Sequence, residues 1–338
     1  QGADLSGLDL SQENLHLANF KGCKLDQTCF SGMHLEKTGF ADCTFQEADF
    51  SGCSFTDMFL RRLNFKKANL SNTFFLRCHL SGSVLTQADF SSSRIHWTFL
   101  DKTNCQQAVF KSAQFLKCVG LEADLSKADL EGAQLERVTL RKAVLKEINL
   151  RRVSFDRVNL SSAELAGHDF SGQKLRSVNF MGADLSGTNF QNADISTCVL
   201  QGADLSGAIL EQVTARQCMF AKTKMNKVRA RKGDFEQSFF GEAELNQADF
   251  RKACLKDCRF TKAKIAESLF MDANCFNNDF SHAHLTDSNF ARANLYLACT
   301  HGLVHENTDF TGANMLYLRK ADKDLAEAEN FQGPEGTR

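Results

Sequence analysis

From Leu5 to Met315 every fifth residue is Leu, Phe, Ile or Met, in one frame that no insertion shifts. Of the 63 positions in that frame, seven depart: Cys105, Gly120, Ala215, Ala230, Cys275, Thr300 and His305. A helix repeats its faces about every 3.6 residues and a strand about every 2, so neither makes this spacing. A five-residue period kept this long demands a repeat architecture, in which each unit buries its apolar residue only by stacking on its neighbours.

A second column lies two residues before each centre and holds small side chains, as at Ala3, Ala18, Ala48, Ala68, Ala88, Ala123, Ala183, Ala203, Ala243 and Ala313. Asp or Asn recurs one residue before the centre (Asp4, Asn19, Asp49, Asn69, Asp89, Asp124, Asp184, Asp204), and Ser or Thr often follows it (Ser6, Ser51, Ser71, Ser126). The unit A-[D/N]-[L/F]-[S/T]-x stands clearest in residues 3–7, 183–187 and 203–207. This motif resembles the pentapeptide-repeat family, over residues 1 to about 318. The resemblance implies an all-β fold, a right-handed quadrilateral parallel β-helix with four pentapeptides to a coil. Large centres would fill the axis, and a bulky residue in the small column would overpack it. About 16 coils stacked at roughly 4.8 Å would give a rod on the order of 75 Å long.

The lone proline, Pro334, lies outside the repeats, as expected of a body built from backbone ladders that proline would interrupt. No apolar run approaches a membrane span, and no signal peptide is visible. The chain opens at Gln1 directly in a repeat. Its first coil would present a bare edge, which predicts an upstream cap or domain.

Thirteen cysteines invite a disulfide or zinc reading. The frame argues against both. Cys23, Cys43, Cys53, Cys78, Cys118, Cys198, Cys218 and Cys258 occupy the small column, and Cys105 and Cys275 occupy centres. These ten are expected to be buried filler, leaving Cys29, Cys254 and Cys299 nearer the surface. So many unpaired thiols favour a reducing compartment, the cytoplasm.

Gly120 sits where a large centre belongs, so its coil must bulge or be underfilled. After Met315 the frame gives way to a stretch rich in Ala, Lys, Asp and Glu, in which Leu318, Ala321, Leu325 and Ala328 could share one helical face. The expected organisation is a β-helix over 1–318, a capping helix over 319–331 and a disordered tail over 332–338. In smaller relatives a C-terminal element dimerises the rod, and the resemblance implies a homodimer through that end.

Residues twenty apart should be neighbours on adjacent coils. Arg77, Trp97 and Lys117 fall in one such column, which would set the single tryptophan between two cations. Phe59, Phe74, Leu76, Phe99, Leu116 and Val119 are outward-facing on the same corner. Packing along the corner would account for some of this, but a contiguous apolar group on a polar surface marks an interface. A second strip, Phe276, Tyr296, Leu297, Leu316 and Tyr317, is expected to carry the cap, with Leu325, or an oligomer contact.

The formal charge is only −1. Residues 212–233 nevertheless hold Arg216, Lys222, Lys224, Lys227, Arg229, Arg231 and Lys232 and no acid, and Arg251 and Lys252 should stack beside Arg231 and Lys232. A band of this kind could meet nucleic acid or an acidic protein. The frame spreads it over several faces, which weighs against nucleic acid and for a solvated surface. His282, His284 and His301 lack a clear further ligand, and metal binding needs three or four converging groups. No metal or other cofactor is expected.

No phosphate loop, nucleophile elbow or zinc-protease motif is present, and the Asp column reads as corner hydrogen bonding. The expected function is a non-enzymatic protein-binding or scaffolding rod. Its setting would be one region of a larger bacterial protein, such as a secretion-system accessory or effector, with a protein partner and no membrane contact. The resemblance supplies a second reading, a DNA mimic that binds DNA gyrase, since several relatives bind type II topoisomerases. The basic middle and the absence of loops weigh against it. A third reading makes the repeats the positioning region of an enzyme whose catalytic domain lies upstream of Gln1.

Overall fold

A computed structural model describes residues 1–320 and 322–330. The chain is a parallel β-solenoid whose backbone divides into two compact units, Gln1–Thr188 and Asn189–Arg338.

In the first unit, seven short strands stack in sequence order on one face: β1 His34–Glu36, β2 Ser54–Thr56, β3 Phe74–Leu76, β4 Arg94–His96, β5 Gln114–Leu116, β6 Gln134–Glu136 and β7 Ser154–Asp156. Every pair is parallel and offset by one coil, so the centres run Leu35, Phe55, Phe75, Ile95, Phe115, Leu135, Phe155. Single bridges with the same offset tie other faces, such as Asn64 to Val84 and Val84 to Asn104. The second unit repeats the arrangement with β8 Lys264–Ala266, β9 His284–Thr286 and β10 Val304–Glu306.

The corner geometry explains the motif. At a typical corner the amide of the small residue donates to the carbonyl of the preceding centre, as Ala68 does to Phe65 at 3.0 Å. Such a turn needs a left-handed residue in between. The fifth residue of the unit supplies it whatever its identity: Lys67 has φ 58° and Gly82 φ 72°. The Asp or Asn before the centre locks the turn by accepting the amide of the residue after it, as Asp89 does from Ser91 at 2.8 Å.

Centres stack along the axis with their neighbours one coil away. Phe55 and Phe75 lie 4.5 Å apart and nearly parallel, as do Phe270 and Phe290. Each fully buried ring of this kind contributes about 1.5–3 kcal/mol. Polar members of the small column add a bond to the coil before: Cys118 Sγ to Ile95 O at 3.0 Å, Ser238 Oγ to Ala215 O at 2.7 Å.

The solenoid has about 14 turns, against about 16 expected from the period alone. In the terminal coils Leu5, Leu10, Phe20, Leu303 and Phe310 are not fully buried, having a repeat neighbour on one side only. Gly120 leaves its coil underfilled, with a cavity of about 30 Å³ lined by Leu100, Cys105, Phe115, Leu125 and Leu140. The ladder is also interrupted within the first unit, between Gly39 and Phe59 and at Asn149, which bridges neither adjacent coil. Near it His168 and Gln173 occupy the small column and reach across to Leu145 O at 2.9 Å and Leu150 O at 2.5 Å. These longer side chains make the inter-coil bond that Ser and Cys make elsewhere. Beside them opens a cleft of about 900 Å³ lined by Asp129, Glu131, Asn149, Arg151, Arg152 and Gln173.

The C-terminal helix, α1, spans Lys323–Asn330, shorter than the expected 319–331. The chain stays in the frame to Arg319, which still bridges Cys299. The tail 332–338, and the side chains of Ala321 and Leu325, lie outside the described residues.

Candidate functional site

The aromatic corner is built from the turn that follows β3, β4 and β5. Trp97 occupies the left-handed position, φ 54°, so its side chain is thrown outward and is 49% exposed. Lys117 sits over its ring at 3.9 Å. The second expected cation is elsewhere: the Arg77 guanidinium forms a two-pronged pair with Asp57, at 2.7 and 2.8 Å, and holds that carboxyl below its ordinary range. Asp57 lies in the same column one coil earlier, and a bidentate carboxylate outcompetes an indole face for guanidinium.

On the next face Phe59, His79 and Phe99 form a continuous stack. Ring centroids are 5.0 and 4.7 Å apart, with planes within 13°. Val119 continues the column. Phe59 is 72% exposed. His79 is the residue that sequence reasoning missed. The signal was available, since His79 stands one coil from both phenylalanines, but a histidine does not register in a search for apolar residues. On the strand side of the corner, Phe74 carries Arg94 at 5.0 Å over its face and His96 at its edge, 5.3 Å away. Burial, with the charge of Arg94, pushes His96 below its ordinary value. Leu76 and Leu116 are half-buried along the same strands.

In the second unit Phe276 stacks on Tyr296 at 5.8 Å, and Tyr317 meets Tyr296 edge-on at 5.4 Å. Leu316 and Tyr317 are 64% and 71% exposed, and Leu297 is half-buried. The polar contacts of α1 are made at a different corner. Glu329 reaches His282 Nε2 and His301 Nε2, both at 3.2 Å, and the Asp322 amide donates to His301 Nδ1 at 3.0 Å. His301 is 4% exposed. Glu329 is the third group that the sequence did not connect to the two histidines. An apolar cavity of about 400 Å³ also opens at the last coils, lined by Phe280, Leu285, Phe290, Phe310, Met315 and Leu318, among others.

The basic band is largely neutralised by carboxylates on neighbouring coils. Arg216 pairs with Asp234 at 2.6 Å, Lys222 with Glu242 at 3.6 Å and Arg229 with Glu211 at 4.0 Å. Arg231 and Arg251 do stand together, but on a shared Asp249, at 2.5 and 2.8 Å. Lys232 donates its amide to Arg251 O, one coil on, and Lys252 stands electrostatically near Asp272. Lys224 and Lys227 make no ion pair among the described residues. Such exposed pairs stabilise little, but they reduce the field that nucleic acid would follow.

The cysteines are distributed as the frame predicts: ten are buried, and Cys29, Cys254 and Cys299 are half-buried. Burial pushes the thiols of Cys53, Cys105 and Cys118 up to about 12, far from a nucleophile's range. Among the described residues no helix is long and apolar enough to cross a membrane.

Comparison with known proteins agrees with this architecture. The family model described as pentapeptide repeats matches in successive segments from residue 1 to residue 265. Among solved structures, the chain is similar to HetL, a pentapeptide repeat protein involved in heterocyst differentiation regulation from Nostoc sp. strain PCC 7120. The identity is 21%, over 78% of this chain and 88% of that one, with a TM-score of 0.25. It is similar to QnrB1, a plasmid-mediated fluoroquinolone resistance protein, at 17% identity over 61% and 90% of the chains, TM-score 0.24. It is also similar to a pentapeptide repeat protein of the Arabidopsis thaliana thylakoid lumen, at 24% over 36% and 68%, TM-score 0.21. These are likenesses of fold alone. No curated protein sequence matches the chain.

Proposed function

Because the chain belongs to the pentapeptide-repeat family, we propose that it acts without catalysis, as a protein-binding scaffold. The observation that carries the reading is the aromatic corner. Phe59, His79 and Phe99 are held in a rigid stack by the ladder beneath them, beside a half-exposed Trp97. None of these side chains is needed to fill the axis. Tryptophan and arginine are common anchors of interfaces, and side chains already fixed lose little entropy on docking. The paired basic band and the near-zero net charge favour a protein over nucleic acid and give no support to DNA mimicry.

The test is partner capture from source-cell lysate with the native chain and with a Trp97→Asp, Phe99→Asp double variant whose circular dichroism matches it. A protein held by the native chain and lost from the variant supports this site. A partner held equally by both overturns it.

A second surface is favoured by Leu316, Tyr317 and the apolar cavity at the last coils. It fits self-association through the C-terminal end. Light scattering of the native chain and a Leu316→Asp, Tyr317→Asp variant checks this: a dimer that becomes a monomer supports it, and a native monomer at high concentration ends it.

A further inference from the structure

We propose that His282, His301 and Glu329 form a site for a divalent transition metal of the zinc class, which clamps α1 onto the C-terminal coils. One ligand atom from each residue lies within 4.8 Å of the others. Glu329 Oε1 stands 3.2 Å from His282 Nε2, and Glu329 Oε2 stands 3.2 Å from His301 Nε2. Zinc binds imidazole nitrogen and carboxylate oxygen at about 2.0–2.2 Å in a tetrahedron, which places ligand atoms roughly 3.3–3.5 Å apart. Each histidine therefore already stands near the required spacing from the carboxylate, and the three ligand atoms lie within 4.8 Å of one another, with solvent left to complete the shell.

Two further features bear on positioning. His301 is nearly fully buried, so its ring is held by packing. His282 lies over Gly302, where a Cβ would stand 2.5 Å from its Nδ1. A side chain at 302 would displace the ring. The ligands also come from two elements: the histidines from adjacent coils, the glutamate from a helix just past the last repeat. A metal here would join the two.

The metal-free arrangement is hydrogen-bonded. The Asp322 amide can only donate, so His301 Nδ1 accepts and the ring proton resides on Nε2, directed at Glu329. Metal on Nε2 displaces that proton to Nδ1, and the Asp322 amide gives up its acceptor. No net proton is released from neutral histidines. This exchange gives the proposal a signature of its own.

The experiment titrates ZnCl2 into the full chain by calorimetry, with hydrogen exchange read in parallel. Native protein is expected to take up about one zinc per chain. Amides 326–330 should exchange more slowly with zinc, while that of Asp322 exchanges faster. Glu329→Gln, on an exposed helix face, leaves the fold intact and should weaken uptake about tenfold or more, since even outer partners of a metal site can be worth that much. Gly302→Ala should weaken it independently by displacing His282. Absence of uptake by the native chain overturns the proposal. So does uptake that is unchanged in both variants, which would place the zinc on other groups.

Discussion

Gly120 is the one glycine at a core centre, and Gly120→Ala is expected to stabilise the first unit. Its backbone lies outside the left-handed region, so alanine meets no dihedral penalty. The new methyl would stand 3.6 Å from Leu100 Cβ and Ala123 Cβ, ordinary contacts, and 3.2 Å from Leu140 Cδ2. Leu140 must yield by a few tenths of an ångström, and it borders the cavity of about 30 Å³ into which it can move. Burying one methyl gains about 0.8 kcal/mol. Losing the glycine's freedom in the unfolded chain gains about 0.4–1 kcal/mol. An adjustment at Leu140 costs about 0.5 kcal/mol. The net is about +1 kcal/mol, or roughly 2–4 °C in melting temperature for a unit of this size. Trp97, the only tryptophan, lies in the same unit and reports its unfolding in guanidinium. Gly120→Leu restores the frame's preferred residue type but exceeds the space, and should fall about 1–3 kcal/mol below the alanine variant. A Leu variant more stable than the Ala variant, or an Ala variant less stable than native with an unchanged denaturant slope, would refute the packing argument.

Other expectations follow from the same geometry. Thiol labelling of native protein should reach Cys29, Cys254 and Cys299 at most, with the other ten reacting only on unfolding; mass spectrometry of the labelled chain reads this directly. Asp184→Ala removes the acceptor of the Ser186 amide and hydroxyl, at 3.0 and 2.7 Å, and should cost about 1 kcal/mol in chemical denaturation. Burial works against the Asp124 carboxylate, but hydrogen bonds from Ser126 and Gln106 outweigh it and depress its folded value. Asp57 and Asp272 are depressed by bonds from Arg77 and Arg292. Groups depressed on folding contribute in full above the unfolded carboxylate value of about 4 and lose that contribution as pH falls through their folded values. Melting temperature should therefore drop steeply below about pH 4, and an acid-insensitive melting temperature would contradict this.

Burial was legible in the sequence because the period ties each position to one structural task. The centre faces the axis, the residue two before it faces the axis beside a corner, and the remaining three face out. That rule places Cys118 inside and Cys254 at the surface without any knowledge of coordinates. Partnership among the outward residues was less legible, because it depends on which neighbour wins. Arg77 had Trp97 on one side and Asp57 on the other, and only charge-assisted geometry chose between them. His79 completed an aromatic column although its own residue type gave no warning. Glu329 lies beyond the repeats, so no period relates it to His282 and His301. His168 and Gln173 broke the small-residue rule in plain view. That the ladder parts at Asn149 beside them was not legible, because their bonds to Leu145 O and Leu150 O replace the ones Ser or Cys makes elsewhere.

The same division of labour explains why the fold says little about the partner. Backbone groups are consumed by the ladder, and two positions in five by the core. The corner residue accepts Gly, Lys, Arg, Asp or Trp alike, because the turn demands only a left-handed backbone and the side chain leaves the structure at once. An L-residue there costs about 1–2 kcal/mol relative to the ordinary region, yet it recurs at coil after coil. That cost is carried by the cooperative stack and not by the local residue. Outward positions are thus free to vary without disturbing the solenoid, and any grouping among them needs a cause other than folding. The aromatic stack of Phe59, His79 and Phe99 is such a grouping. If it served packing alone, Phe59→Ser and Phe99→Ser would each lower stability in proportion to the area they cover. If it serves recognition, the exposed Phe59 should change stability by less than about 0.5 kcal/mol, as an ordinary surface substitution does, while binding is lost. Measuring both quantities on the same two variants separates the causes.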